Sequence, residues 1–222
     1  MKLEIISILI IILIIILFTL FKSNFKDLYN GDIWTHYRLG DVYHQSDTLE
    51  NLDYHKQKYP NSIAALILNT TPYKSKNEEL LLKIVSEKRK ELNLQLTTDT
   101  DLVLHIRVGD VVCLYDKKNN WYSKIDNHEW WARVLEYIRL NNIKRVYIVA
   151  GTHYKECLKE SKDYLKNRED FLTKNIPELK VIYRLGKPPD YDFIFFLDAK
   201  HFISTGGGFG RIIYNINGNE FK

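Results

Sequence analysis

From residue 102 onward the chain alternates short apolar runs with amphipathic stretches, and this alternation restricts the possible folds more than any other feature of the sequence. Residues 102–106, 145–150, 181–183 and 201–204 read as strands. Between them, residues 128–141 place Trp131, Val134, Leu135 and Ile138 on one helical face. Residues 154–172 read as a long charged helix and residues 190–199 as a short one. Residues 211–214 open a last helix. Strands that alternate with helices in this way form a parallel sheet covered on both faces. In such sheets ligands bind outside the carboxyl ends of the strands. The two unusual loops of this half, after Ile106 and after Ser204, both fall at such ends.

The first hundred residues are less regular. Residues 5–21 are almost all Ile, Leu and Phe, broken only by Ser7 and Thr19. As a helix they span about 26 Å, close to the lower limit for a bilayer core. Lys2 and Lys22 can extend the span by snorkelling. Bulky Phe18, Leu20 and Phe21 stand where a cleaved signal peptide needs small residues, so a retained anchor is expected. This divides the chain into a transmembrane anchor (1–22), a smaller N-terminal α/β lobe (23–100) and a C-terminal lobe (101–222). Within the middle segment, residues 23–30 read as a linker, 32–39 as a strand and 77–92 as a helix; an apolar stretch, residues 63–68, follows a break at Pro60. If the body is lumenal, Asn69-Thr70-Thr71 is a usable glycosylation sequon, with Pro72 directly behind it.

Charge and cysteine usage narrow the function classes. The formal net charge of +4 is small. Lys and Glu interleave along residues 83–91, the pattern of a solvated helix face and not of a nucleic-acid patch. No zinc-finger, RNA-recognition or basic-zipper pattern occurs, so no nucleic-acid partner is expected. Cys113 and Cys157 show no metal spacing. Two buried free thiols are the preferred reading, against a disulfide formed in an oxidising lumen.

Two motifs can carry chemistry. The first is His105-Ile106-Arg107-Val108-Gly109-Asp110, directly after a strand. An Arg there can donate two parallel hydrogen bonds to a phosphate. Gly109 lets the backbone turn tightly. Asp110 can orient Arg107, accept from a sugar hydroxyl or remove a proton; an Arg–Asp pair that only pins the loop is the alternative. The second is Ser204-Thr205-Gly206-Gly207-Gly208-Phe209-Gly210-Arg211. Consecutive glycines expose backbone N–H groups, and a helix starting beyond them turns its dipole toward a bound anion. Ser204, Thr205 and Arg211 add donors. The tract is neither a Walker loop nor a dinucleotide fingerprint; a ligand-free strand-to-helix turn is the competing reading.

On these residues the chain resembles the superfamily of α1,2-, α1,6- and protein O-fucosyltransferases. His105 to Asp110 is similar to that superfamily's first motif. The tract from Asp192 to Phe209 is similar to its C-terminal motif, an Asp-led helix followed by a strand and a Ser- or Gly-rich loop. The agreement covers residues 101–214. It implies a two-lobed GT-B fold, GDP-fucose as donor, inversion at the sugar carbon and no required metal or other cofactor. It implies that Arg107 binds the donor diphosphate, that His105 and Asp110 shape the pocket, and that residues 205–209 lie against the nucleotide. Where many members carry a second Arg, this chain has Val108.

A weaker echo, His36-Tyr37-Arg38-Leu39-Gly40-Asp41, repeats the spacing of the first motif. An internal duplication and a chance match are both open for six residues; by the GT-B resemblance Arg38, Gly40 and Asp41 stand at a cleft-facing loop of the N-terminal lobe, with Asp41 and Asp110 as alternative bases toward the acceptor. Tyr183-Arg184-Leu185-Gly186 repeats part of the string, and Arg184 is a candidate for contact with the nucleotide base. The expected protein is a single-pass, type II membrane glycosyltransferase with a lumenal body, moving a sugar from a GDP-sugar to a glycan or protein. The alternative is a membrane-tethered nucleotide- or carbohydrate-binding protein without catalysis.

Overall fold

The computed structural model describes residues 39, 59–70, 78–92, 97–113, 125, 127–151, 157–218 and 221. In chain order the elements are helices α1 (Ile63–Thr70) and α2 (Glu78–Glu91), strand β1 (Asp101–His105), the helical turn α3 (Asp110–Cys113), helix α4 (His128–Leu140), strand β2 (Arg145–Ala150), helix α5 (Leu158–Asn175), strand β3 (Lys180–Leu185), helix α6 (Pro189–Leu197), strand β4 (His201–Ser204) and helix α7 (Gly208–Asn217). The strands form one parallel sheet in the order β3-β2-β1-β4. The expected α/β fold with a parallel sheet is therefore present.

Apolar residues on both faces of β1 and β2 make these strands fit only for a sheet covered twice. Leu102, Leu104 and Ile106 of β1 and its exit face one layer with Val146, Ile148 and Ala150 of β2. There they meet Trp130, Trp131, Val134, Leu135 and Ile138 of α4, and Leu165 and Leu172 of α5. Val103, Tyr147 and Val149 face the opposite layer, with Phe193, Phe195 and Phe196 of α6 and Ile212 and Ile213 of α7. The path runs β1 to β2 to β3 in one direction over the first layer. It then reverses through α6 over the second layer to reach β4 on the far side of β1. A change of face with the change of direction keeps every crossover right-handed. The reversal puts a topological switch point between β1 and β4, where the crevice of an open parallel sheet lies.

Helices α1 and α2 share the second layer: Ile63, Ala64, Ile67, Leu68, Leu81, Ile84 and Val85 pack with Val103 and the α6 phenylalanines. Asp190 of α6 accepts hydrogen bonds from the backbone N–H of Ile63 at 3.1 and 3.3 Å, capping α1 from a distance in sequence, and pairs with Lys88 at 3.7 Å. Arg89 reaches Asp198 with both Nε and Nη2. Residues 34–222 form one compact unit. The described residues on either side of position 100 thus share one core, and they contain one sheet.

Several expectations shift. Of the strand expected over 32–39, only Leu39 is described, and it is helical and buried. Helix α5 begins at Leu158 and runs to Asn175, a few residues later than the charge pattern suggests. Helix α7 begins at Gly208 and not Arg211, because the glycines after position 207 enter its first turn. Cys113 and Cys157 are not free thiols: they are bonded to each other, with Cα atoms 5.6 Å apart, inside the range a disulfide allows. The apolar run 5–21, the linker and Thr71 of the sequon lie outside the described residues, while Asn69 is exposed in the last turn of α1. Among the described residues no helix is long and apolar enough to cross a membrane.

Helix α4 starts where Asn127 accepts a hydrogen bond from the backbone N–H of Trp130 at 2.9 Å. Asn127→Ala should lower stability by about 1 kcal/mol, read as a lower urea midpoint at unchanged m-value. An unchanged midpoint assigns the cap no contribution.

Candidate functional site

The site is built where β1 and β4 run out side by side. Parallel pairing aligns His105 with Ser204. One residue further, the backbone N–H of Thr205 donates to the His105 carbonyl at 3.0 Å. Two residues beyond His105, the Arg107 N–H donates to the Thr205 hydroxyl oxygen at 2.9 Å. The two loops are laced together by this reciprocal pair, although 98 positions separate Arg107 from Thr205. The Arg107 side chain then lies along the glycine tract: a Cβ added at Gly207 would stand 3.5 Å from Arg107 Cδ and 3.6 Å from Nη1.

The glycines serve three distinct ends. Gly109, Gly206 and Gly207 have φ of 78°, 128° and 94°, a region that other residues rarely occupy. Nothing lies within 4 Å of a Cβ added at Gly206, so the space beside that backbone is open. Gly210 is different: a methyl group there would overlap the Ser204 hydroxyl and stand 2.8 Å from Ser204 Cβ. It lets the first turn of α7 press against the end of β4. The positive end of the α7 dipole thereby opens at the same strand end as Arg107.

Beneath the loops lies a hydrogen-bonded layer. Ser204 Oγ is 2.9 Å from His105 Nδ1, accepts from Gly206 N–H at 3.1 Å and stands 3.3 Å from the Gly206 carbonyl. The His105 ring packs on Phe196 at 5.1 Å and on Phe209 at 6.3 Å between centroids. Burial, reinforced by the Arg107 charge, presses its pKa from the usual 6.5 down to about 4. At neutral pH the imidazole is uncharged, and the positive charge of this corner sits on Arg107. Phe209 also packs on Phe193 at 5.3 Å and Phe196 at 5.8 Å. It anchors the loop to the second-layer core.

Of the predicted residues, the fold brings together His105, Arg107, Gly109, Ser204, Thr205, Gly206, Gly207, Gly208 and Phe209. Arg211 is in the first turn of α7 with its side chain exposed, and its N–H donates to Gly207 O at 3.2 Å. Asp110 opens α3; its side chain lies outside the described residues, as does Asp41. Arg184 is not at the loops. It is aligned with Val149, which is aligned with His105, so it is two strands away on the same sheet face. Its Nε donates to Asp192 at 2.7 Å and its guanidinium stacks on Phe195 at 4.6 Å. Burial raises the Asp192 pKa to about 7 against the pull of Arg184. Arg184, facing inward from an edge strand, is engaged by helix α6 above it.

The sequence also holds two Asp-x-Asp tripeptides, a spacing able to hold a divalent cation. Asp99-Thr100-Asp101 lies at the amino end of β1, opposite the loops, and Asp101 there accepts from Arg145 at 2.6 and 2.7 Å. Asp190 and Asp192 are the α1 cap and the Arg184 partner. Among the described residues no three metal-ligating side chains cluster.

Sequence reading missed two supports. Tyr214 of α7 accepts from the Ser204 N–H at 2.6 Å, satisfying backbone on the open edge of β4. Ser161 of α5 accepts from the Gly109 N–H at 3.1 Å. Tyr214 could have been found from its place one helical turn past Gly210, facing back toward the strand; nothing local marks Ser161.

Compared with protein-family models, curated proteins and solved structures, the chain matches none of them.

Gly210→Ala should lower stability by roughly 1–3 kcal/mol through overpacking. Ser204→Gly in the same chain should recover part of the loss, since it removes the overlapped atoms; an additive double mutant assigns the cost to another cause. His105 yields a pH dependence. The unfolded chain takes up its proton as pH falls through about 6.5, while the folded site takes it up only near 4. The stability this group confers is complete above about 6.5 and is lost as pH falls toward 4. Urea unfolding of His105→Asn should therefore lose less stability on acidification across that window than the native chain does. Equal losses would remove His105 as the source.

Proposed function

We propose that the chain is a glycosyltransferase that binds the diphosphate of a nucleotide sugar, GDP-fucose by resemblance, between Arg107 and the glycine tract at Gly207. The observation that carries this reading is the approach of the Arg107 side chain to Gly207 at the switch point of the sheet. Sugar transfer leaves negative charge on the departing diphosphate. The Arg107 guanidinium and the amino end of α7 stabilise that charge most when it is fully developed. Neutral His105 holds the loop from below through Ser204 and places no second charge beside Arg107. Metal-independent inversion then needs only a base for the acceptor hydroxyl of the glycan or protein; Asp110 and Asp41 are the candidates.

A GT-B reading further requires a second lobe to close the crevice over the donor. The Cys113–Cys157 bond supports an oxidising compartment, in keeping with a type II anchor at residues 5–21 and a lumenal body. The presence of a single sheet among the described residues favours a second reading, a tethered nucleotide-binding protein without turnover.

Calorimetric titration of the full-length chain in detergent with GDP, UDP and CMP, followed by a hydrolysis panel of the matching nucleotide sugars, decides between them. GDP should bind, and Arg107→Ala should weaken it by roughly ten- to a hundred-fold, the worth of charge-assisted hydrogen bonds. Binding with no turnover on any donor selects the second reading. No binding of any nucleotide rejects both.

A further inference from the structure

The Arg107 loop does not end at the sheet. Directly after it, Gly109 to Cys113 forms a tight turn in which the N–H groups of Val112 and Cys113 donate to the Gly109 carbonyl at 3.0 and 3.1 Å. Both ends of this turn are held by α5. Gly109 at its start donates its N–H to Ser161 Oγ at 3.1 Å, a buried bond in which Ser161 is 1% exposed. Cys113 at its end is bonded to Cys157, which is completely buried at the amino end of the same helix. Cys157 and Ser161 are four residues apart, one above the other on one helical face. Gly109 keeps a φ of 78°, so the chain reverses sharply between Arg107 and the clamped turn. Helix α5 itself is seated in the first-layer core by Tyr164, Leu165 and Leu172. The position of Arg107 is therefore referenced to a rigid element on the sheet face opposite α7.

We propose that Cys157 and Ser161 are positioning residues for the anion site: they hold the turn after Arg107 so that its guanidinium meets the glycine tract, and opening the Cys113–Cys157 bond loosens that grip. This inference rests on the diphosphate-binding reading above. Opening the bond takes two electrons and two protons from an external dithiol, which becomes its own disulfide as Cys113 and Cys157 become thiols. Closing it reverses the exchange.

The test is GDP affinity of the full-length chain in detergent, by calorimetry, for the oxidised protein, for the dithiol-reduced protein, for Cys113→Ala with Cys157→Ala, and for Ser161→Ala. The reduced protein and both variants should bind GDP roughly ten-fold more weakly while still melting cooperatively. Ser161→Thr, which keeps a hydroxyl acceptor, should restore most of the affinity. By linkage, saturating GDP should slow reduction of the bond, an effect that a disulfide supporting only global stability at a distant site would not give. Unchanged GDP affinity in Ser161→Ala, or in the reduced protein, overturns the clamp and leaves the diphosphate reading standing. Failure of the oxidised native chain to bind GDP removes that reading and the clamp with it.

Discussion

Thr205 is the hinge pin of this structure. Its backbone N–H continues the β4 ladder onto the His105 carbonyl, and its hydroxyl receives the Arg107 N–H. One residue thus satisfies two backbone groups beyond the strand ends, where a parallel sheet otherwise leaves them unpaired. Buried, with 6% of its surface exposed, it gives neither bond to water. The course of both loops follows. With Arg107 N–H fixed, its side chain has to leave along the glycine tract, and with Thr205 fixed, the chain has to turn at Gly206 and Gly207 before α7 can start.

The supports beneath that junction come from three directions. From below, the Ser204–His105 contact and the rings of Phe196 and Phe209 fill the space under the loop. From the side, Tyr214 closes the open edge of β4. From behind, α5 grips Gly109 and Cys113. Keeping His105 uncharged matters to this scheme. A second positive charge next to Arg107 would be buried against aromatic rings, where its desolvation is costly. Burial, with the Arg107 charge, presses the His105 pKa down to about 4.

What could be read from the sequence divides along the range of the interactions. Strand β2 was legible to the residue because a doubly covered strand has to be apolar on both sides, and Val146 to Ala150 carry that demand; β4 was legible at its bounds through the short run Phe202-Ile203 between the polar His201 and Ser204. The two loops were legible for the same local reason: only glycine takes the backbone values found at positions 109, 206 and 207. The start of α7 was misjudged because glycines argue against a helix by propensity, whereas Gly210 is in the helix for want of room beside Ser204. Ser161 and the disulfide were illegible. Each acts on a residue brought close by the crossovers, and the preference for free thiols failed because 44 residues separate the two cysteines with no motif to pair them. Arg184 was placed correctly at a strand end, but the local string held no sign of Asp192 and Phe195 above it.

The same distinction governs how a ligand would be received. Loops that must fold around an anion pay ordering entropy at the moment of binding, while loops already tied to their neighbours do not. Here Arg107 N–H, Thr205 and Gly109 are bonded to the protein, and the left-handed values at Gly206 and Gly207 set the direction of the backbone between β4 and α7. The space beside Gly206 stays open within this fixed frame. An arrangement that ties down the backbone at Arg107, Thr205 and Gly206 beside an open patch, with one guanidinium next to it, suits a charge that develops during reaction. Preorganised donors need not rearrange as that charge grows, so the physical case for transfer chemistry rests on the rigidity of the frame as much as on the identity of Arg107.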